Sequence, residues 1–108
     1  VIRHEFGNTE FENKLEKLRF DIDQLDHELM NILARRNEKN KQIGHYKKEN
    51  GITVLQMDRL RKMIQERMGY GMKLNLDPSF VLKLLQLVHK ESVRLQTNIM
   101  QSEDENEG

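Results

Sequence analysis

The 108-residue chain has no cysteine, no tryptophan and a single proline. Without cysteine there is no disulfide framework, no thiolate nucleophile and no cysteine-ligated metal site. With Pro78 alone to interrupt it, and few β-branched runs, the chain is free to form long helices. Aromatic residues are 6% of the sequence and the hydrophobic class 36%. That suits a helical protein with a thin core, or one that buries surface against another chain, better than a sheet. An excess of one charge sign is also missing, since 18 Lys and Arg balance 18 Asp and Glu. Nothing therefore draws the whole chain to nucleic acid or to a membrane surface. No apolar run approaches the roughly 20 residues of a membrane span, and no signal peptide is visible. The expectation is one cytoplasmic domain.

What the chain does have is charge, 33% of its residues, threaded by a helical period. Leu15, Arg19, Ile22, Asp26, Leu29, Leu33, Arg36, Asn40, Ile43 and Lys47 recur at steps of three and four. At about 100° per residue they fall within an arc of roughly 120°. The first half of this stripe is mostly apolar; the second carries Arg36, Asn40 and Lys47. A core-facing stripe that turns cationic is costly to bury without an anionic partner, either protein carboxylates or a ligand. Arg36 and Lys47 stand roughly 16 Å apart along a helix, close enough for two long side chains to grip one small dianion. Arg19 lies roughly 25 Å beyond Arg36 and reaches such a ligand only from an antiparallel partner chain, which hints at a two-fold dimer with shared sites.

Residues 1–8 have no clear period and read as a linker or tail. Residues 9–101 read as one helical domain, and the acidic, apolar-free 102–108 as a disordered tail. Thr9 with Glu12 forms a capping box, and the first helix runs from there to about Glu49, where Asn50-Gly51 stops it. The second helix is expected over Met57–Met68, ended by Gly69-Tyr70-Gly71. Asp77-Pro78 starts the third, whose stripe is Val81, Leu85, Val88, Ser92, Leu95/Gln96 and Ile99. Such a long first helix cannot be covered by the sixty residues after it, so a second copy of the chain is expected to bury the rest.

Arg35, Lys39 and Lys48 leave the stripe and read as a solvated face. Ser92 and Gln96 sit on an inner stripe, where hydrogen bonding to backbone or to each other is the plain alternative to a ligand role. The histidines, His4, His27, His45 and His89, show no metal-ligand spacing, so no metal is expected. No nucleophile–base pair and no glycine-rich phosphate loop is present.

The combination resembles a known family. Leu18-Arg19, Ile22, Leu25-Asp26, Leu29, Leu33, Arg36, Ile43-Gly44 and Lys47 follow the opening-helix pattern of the all-helical (AroQ-type) chorismate mutases. Arg59 matches the second-helix arginine, and Leu85-Gln86-Leu87, Glu91-Ser92 and Gln96 match the third helix. The resemblance covers about Leu15 to Met100. It implies an all-α, three-helix protomer in an intertwined homodimer with two shared active sites, converting chorismate to prephenate by a Claisen rearrangement, without cofactor. It further implies that Arg36 and Arg59 hold the substrate carboxylates, with Arg19 reaching in from the other protomer. By the same resemblance Lys47 and Gln96 hydrogen-bond the ether oxygen, Gln56 and Ser92 line the site, and Lys47, Gln96 and Arg36 carry the catalysis.

Two positions depart from the family pattern. Leu60 follows the second-helix arginine where an acidic residue usually meets the substrate hydroxyl, and Gln56 stands where Asp is common. Some family members are fused to phosphoheptulonate synthase, and VIRHEFGNTEFEN reads as a linker into such a C-terminal domain. Two rivals remain open: a non-catalytic helical dimerisation or regulatory module, and an isochorismate–pyruvate lyase with a similar basic pocket.

Overall fold

The computed structural model describes residues 9–101, with backbone alone beyond that to 107. The expected linker over 1–8 lies outside the described residues; of the acidic tail over 102–108, read as disordered, the backbone to 107 is helical and the side chains lie outside the described residues. Among the described residues there are three helices: α1, Thr9–Glu49; α2, Met57–Lys73; and α3, Pro78–Glu107. Among the described residues there is no strand. The all-α expectation holds.

The chain divides into two compact units, residues 1–36 and 37–108, so α1 contributes to both. In the first unit the helix is held by local charge pairs: Lys17 Nζ lies 2.7 Å from Asp21 Oδ1, and Arg19 Nη1 lies 2.9 Å from Glu16 Oε1. These are exposed, and each is worth a few tenths of a kcal/mol, about what helix pairs of this spacing supply. Of the predicted stripe, Ile22 and Leu29 are exposed in the single chain, as are Leu18 and Leu25 beside it.

In the second unit the helix ends are built by one motif used twice. The Ile52 N–H donates to the Lys47 carbonyl at 2.8 Å and the Gly51 N–H to the Lys48 carbonyl at 3.4 Å. Gly51, at φ 65°, takes the left-handed turn that this arrangement requires. At the end of α2 the Leu76 N–H donates to Gly71 O at 3.0 Å and the Asn75 N–H to Met72 O at 3.1 Å, with Asn75 at φ 60° as the left-handed residue. The α2 stop is thus later than expected. Gly69 and Gly71 lie inside the helix rather than ending it. Gly71 is buried, and a Cβ there would stand 3.2 Å from Val81 Cγ2. The glycine serves the close approach of α2 to α3, not a turn. The start of α3 is as expected: Asp77 Oδ2 accepts the Phe80 N–H at 2.9 Å, satisfying a donor the helix cannot.

The core of this unit is thin. Met63 and Val81 are the buried hydrophobic residues among those described, and Asn40, Ser92 and Gln96 are buried with them. The inner stripe of α3 is as read, with Val81, Ser92 and Gln96 buried and Leu85, Val88, Leu95 and Ile99 half-buried.

Candidate functional site

The end of α1 and the middle of α3 run side by side in parallel, held at a constant offset. Asn40 pairs with Ser92, Gly44 with Gln96, and Lys48 with Met100. Steps of four on both helices keep each pair on the facing sides. Gly44 sets the spacing. A Cβ on it would lie 3.2 Å from the Gln96 Cα and 3.5 Å from the Gln96 carbonyl oxygen, so any larger residue crowds the facing backbone at this spacing.

Across this contact runs a chain of hydrogen bonds with one sense. Lys47 Nζ donates to Gln96 Oε1 at 2.9 Å. Gln96 Nε2 donates to Asn40 Oδ1 at 3.0 Å. Asn40 Nδ2 donates to Ser92 Oγ at 3.1 Å, and Ser92 Oγ donates to the Val88 carbonyl at 3.0 Å, one turn back in its own helix. The sense is fixed by the two ends. An ammonium only donates and a carbonyl only accepts, so each amide between them must turn its oxygen toward Lys47 and its nitrogen away. Asn40, Ser92 and Gln96 are each 6–7% exposed. Among the described residues no buried side-chain nitrogen or oxygen lacks a partner.

Lys47 is where this ladder meets open space. Its Nζ also donates to the Val54 carbonyl at 2.7 Å, from the connection folded back after α1. Two of its three N–H groups are used in this way. Burial pushes its pKa below the ordinary lysine value, because the charged form loses hydration. Lys47 also lines a cleft of about 480 Å³ with Lys39, Gln42, Ile43, Tyr46, Ile52 and Gln56. That volume is in the range of small-molecule sites. The lining holds two lysines and no carboxylate.

The structure therefore brings Lys47, Gln96 and Ser92 together in one network, with Gln56 on the adjoining cleft. Gln56 precedes α2 as its N-cap, but its side chain makes no capping hydrogen bond. Arg59 lies on the first turn of α2, exposed. Arg36 is half-buried and belongs to the first unit, as does Arg19, which is exposed and paired with Glu16. Of the lysines expected on a solvated face, Lys39 is exposed, at the lining of the cleft, whereas Lys48 is half-buried and donates to the Met100 carbonyl at 2.7 Å. The residue that pattern reading left without a role is Asn40. Its place on the cationic half of the α1 stripe marked it as inward-facing and polar. Its partners lie 52 and 56 residues away, beyond the reach of any local signal.

Chemically, the site offers a fixed cation, an anchored amide and a hydroxyl beside a cleft. It can neutralise an anion and polarise an electron-rich oxygen. Among the described residues no group of three or more His, Cys, Asp or Glu is placed to hold a metal ion, and no described helix is long and apolar enough to cross a membrane.

Comparison with known proteins agrees with this chemistry. The family described as Chorismate mutase type II matches residues 18–97. The chain is 28% identical over 92 residues to the 4-amino-4-deoxychorismate mutase of Streptomyces venezuelae, covering 85% of this chain and 89% of that protein. It is 26% identical over 95 residues to the chorismate mutase of Methanocaldococcus jannaschii, covering 82% and 89%. It is 32% identical over 90 residues to the bifunctional chorismate mutase/prephenate dehydratase of Escherichia coli K12, covering 83% of this chain but 23% of that longer protein.

Proposed function

The chain belongs to the type II chorismate mutase family, and from that premise we propose that it converts chorismate to prephenate in the cytoplasm, as a homodimer whose two sites each draw on both protomers. The observation that carries this reading is the Lys47–Gln96 pair, whose lysine lines a carboxylate-free cleft.

The rearrangement is pericyclic. One C–O bond breaks as one C–C bond forms, with no nucleophile and no proton transfer, which accounts for a site without an acid–base pair. The barrier is lowered by folding a flexible dianion into a compact conformer and by stabilising charge on the ether oxygen as its bond breaks. Lys47 is assigned to that oxygen with its third N–H, while its charge attracts a neighbouring substrate carboxylate. Gln96 adds the second N–H of its amide. Arg36 and Arg59 grip the carboxylates with bidentate guanidinium contacts, joined by Arg19 of the other protomer, while Ser92 and Gln56 line the site. Water exclusion strengthens each of these interactions.

The dimer reading is supported by exposure. Residues 9–36 leave Leu18, Phe20, Ile22, Leu25 and Met30 each more than half exposed, an apolar stretch of the kind that marks an interaction surface. Covalent attachment to a phosphoheptulonate synthase domain is a further part of the proposal, suggested by the run leading into α1. Fusion to a different partner occurs in the bifunctional chorismate mutase/prephenate dehydratase relatives.

A second substrate is favoured by one similarity, that to the 4-amino-4-deoxychorismate mutase. An amino group in place of the substrate hydroxyl would be cationic at neutral pH. The cleft has lysines and no carboxylate to receive it, and Leu60 supplies none. We therefore place chorismate first, held weakly at its hydroxyl. The test is to incubate the purified chain with each substrate and identify products by NMR. Prephenate formed with the higher kcat/KM supports the reading. Preference for the amino substrate, release of pyruvate from isochorismate, or no turnover by folded protein rejects it.

A further inference from the structure

Building on that reading, we infer that Asn40 is a positioning residue for catalysis: it anchors the Gln96 amide so that the carbonyl faces Lys47 and one N–H remains for the breaking ether bond.

A glutamine side chain has three torsions and two nearly equivalent ends. Facing Lys47 alone, Gln96 would keep its carbonyl toward the ammonium, but its amide plane would be free to rotate about that contact. The bond from Nε2 to Asn40 Oδ1, 3.0 Å, removes the rotation by holding the other end. One of the two amide hydrogens is then committed to Asn40, and the other points about 120° away from it in the plane of the amide. Asn40 is itself held from behind, because its Nδ2 donates to Ser92 Oγ and the serine hydroxyl is spent on the Val88 carbonyl. If Asn40 were reversed, its nitrogen would face the Gln96 nitrogen, two donors without an acceptor. The direction of the ladder, imposed by the Lys47 ammonium and the Val88 carbonyl, thus dictates the face that Gln96 presents. Bonds aligned in one sense also polarise one another, which strengthens Gln96 as a donor. Asn40 is 6% exposed and lies on the side of α1 turned to α3, so it acts through Gln96 and not on the substrate.

A merely structural Asn40 would lower stability and do no more. A positioning Asn40 predicts coupling. The experiment is a double-mutant cycle on kcat with Asn40→Ala, Gln96→Ala and the double variant, using chorismate as the probe and melting temperature as a parallel readout. Asn40→Ala is expected to lower kcat about tenfold or more with a smaller change in KM, and to have little further effect once Gln96 is already alanine, the non-additivity of residues acting as a unit. Asn40→Asp keeps an acceptor for the Gln96 N–H and is expected to recover most of the loss. Should Asn40→Ala prove too unstable to assay, Asn40→Asp and Asn40→Leu are compared in the same cycle; Leu fills the space without the acceptor and should behave as Ala. Equal kcat losses for Asn40→Ala in the Gln96 and Gln96→Ala backgrounds, or recovery by Leu as complete as by Asp, overturn the inference while leaving the chorismate mutase reading intact. A parent protein that does not turn over chorismate overturns both.

Discussion

Three helical glycines form a graded test of the helix contact that builds the site. Each changed to alanine gains about 1 kcal/mol of helix propensity; they differ in what the new methyl meets. At Gly69 nothing lies within 4 Å, so Gly69→Ala should realise most of that gain, a rise of roughly 4–8 °C in melting temperature for a domain of this size. At Gly71 the methyl meets the Val81 side chain at 3.2 Å; a side chain can shift a little, and the gain and the crowding should nearly cancel. At Gly44 the methyl meets backbone, the Gln96 Cα at 3.2 Å. Backbone inside a helix yields only by moving the helix, and overpacking of this kind costs about 1–3 kcal/mol. Net of propensity, Gly44→Ala should lose about 0–2 kcal/mol. It should also lose activity, because moving α3 by a few tenths of an ångström stretches the 2.9 Å bond from Lys47 to Gln96. A misplacement of about 1 Å can cost about a hundredfold, so a loss of about three- to tenfold in kcat is expected. The assays are thermal melting followed by circular dichroism and steady-state turnover of chorismate. Gly44→Ala melting as high as Gly69→Ala, with full turnover, would refute the claim that a backbone contact at this glycine sets the site.

Removing the charged donor tests the electrostatic assignment. Lys47→Met should lower kcat/KM by about a hundred- to a thousandfold with a much smaller change in melting temperature, and the reverse pattern would count against it. Alkaline pH separates activity from stability at the same residue. Because burial lowers the Lys47 pKa below the ordinary value of 10.5, the folded chain gives up this proton before the unfolded chain does. Between the two pKa values the unfolded state binds more protons, so the Lys47 contribution to stability rises with pH, while activity falls as the ammonium is lost. The kcat/KM profile should bend downward below pH 10.5, and bound dianion should move the kcat limb to higher pH; a profile flat to that value would contradict this. Asp77→Ala should cost about 1 kcal/mol through loss of the α3 cap, read in denaturant melts, with turnover unchanged.

Much of the architecture was legible because its signals are local. The Asn50-Gly51 stop and the Asp77-Pro78 start depend on residues within a turn of one another, and each is where the pattern puts it; the α1 stripe is buried at Asn40 and half-buried at Leu33, Arg36 and Lys47, but exposed at Ile22, Leu29 and Ile43. The end of α2 was misread because glycine has two uses. Gly69 and Gly71 read as punctuation, while in the fold Gly71 accommodates Val81 and the left-handed residue that ends the helix is Asn75. In the site, Lys47, Gln96 and Ser92 were found through family spacing, and their meeting is seen in the hydrogen bonds that join them. Asn40 was not singled out, since an asparagine on an inner stripe gains meaning only from partners on another helix. Lys48 was misjudged for the same reason: its angle on α1 pointed away from the stripe, but the Met100 carbonyl reaches it.

The account turns on sites assembled from two protomers, and subunit mixing tests it most directly. Arg19→Ala and Lys47→Ala, each inactive alone, are unfolded together and refolded at equal concentration. If Arg19 serves the site that holds the other protomer's Lys47, every mixed dimer regains one intact site, and about a quarter of wild-type activity should return by the statistics of a two-fold assembly. A mixture that forms dimers and stays inactive would contradict the shared site.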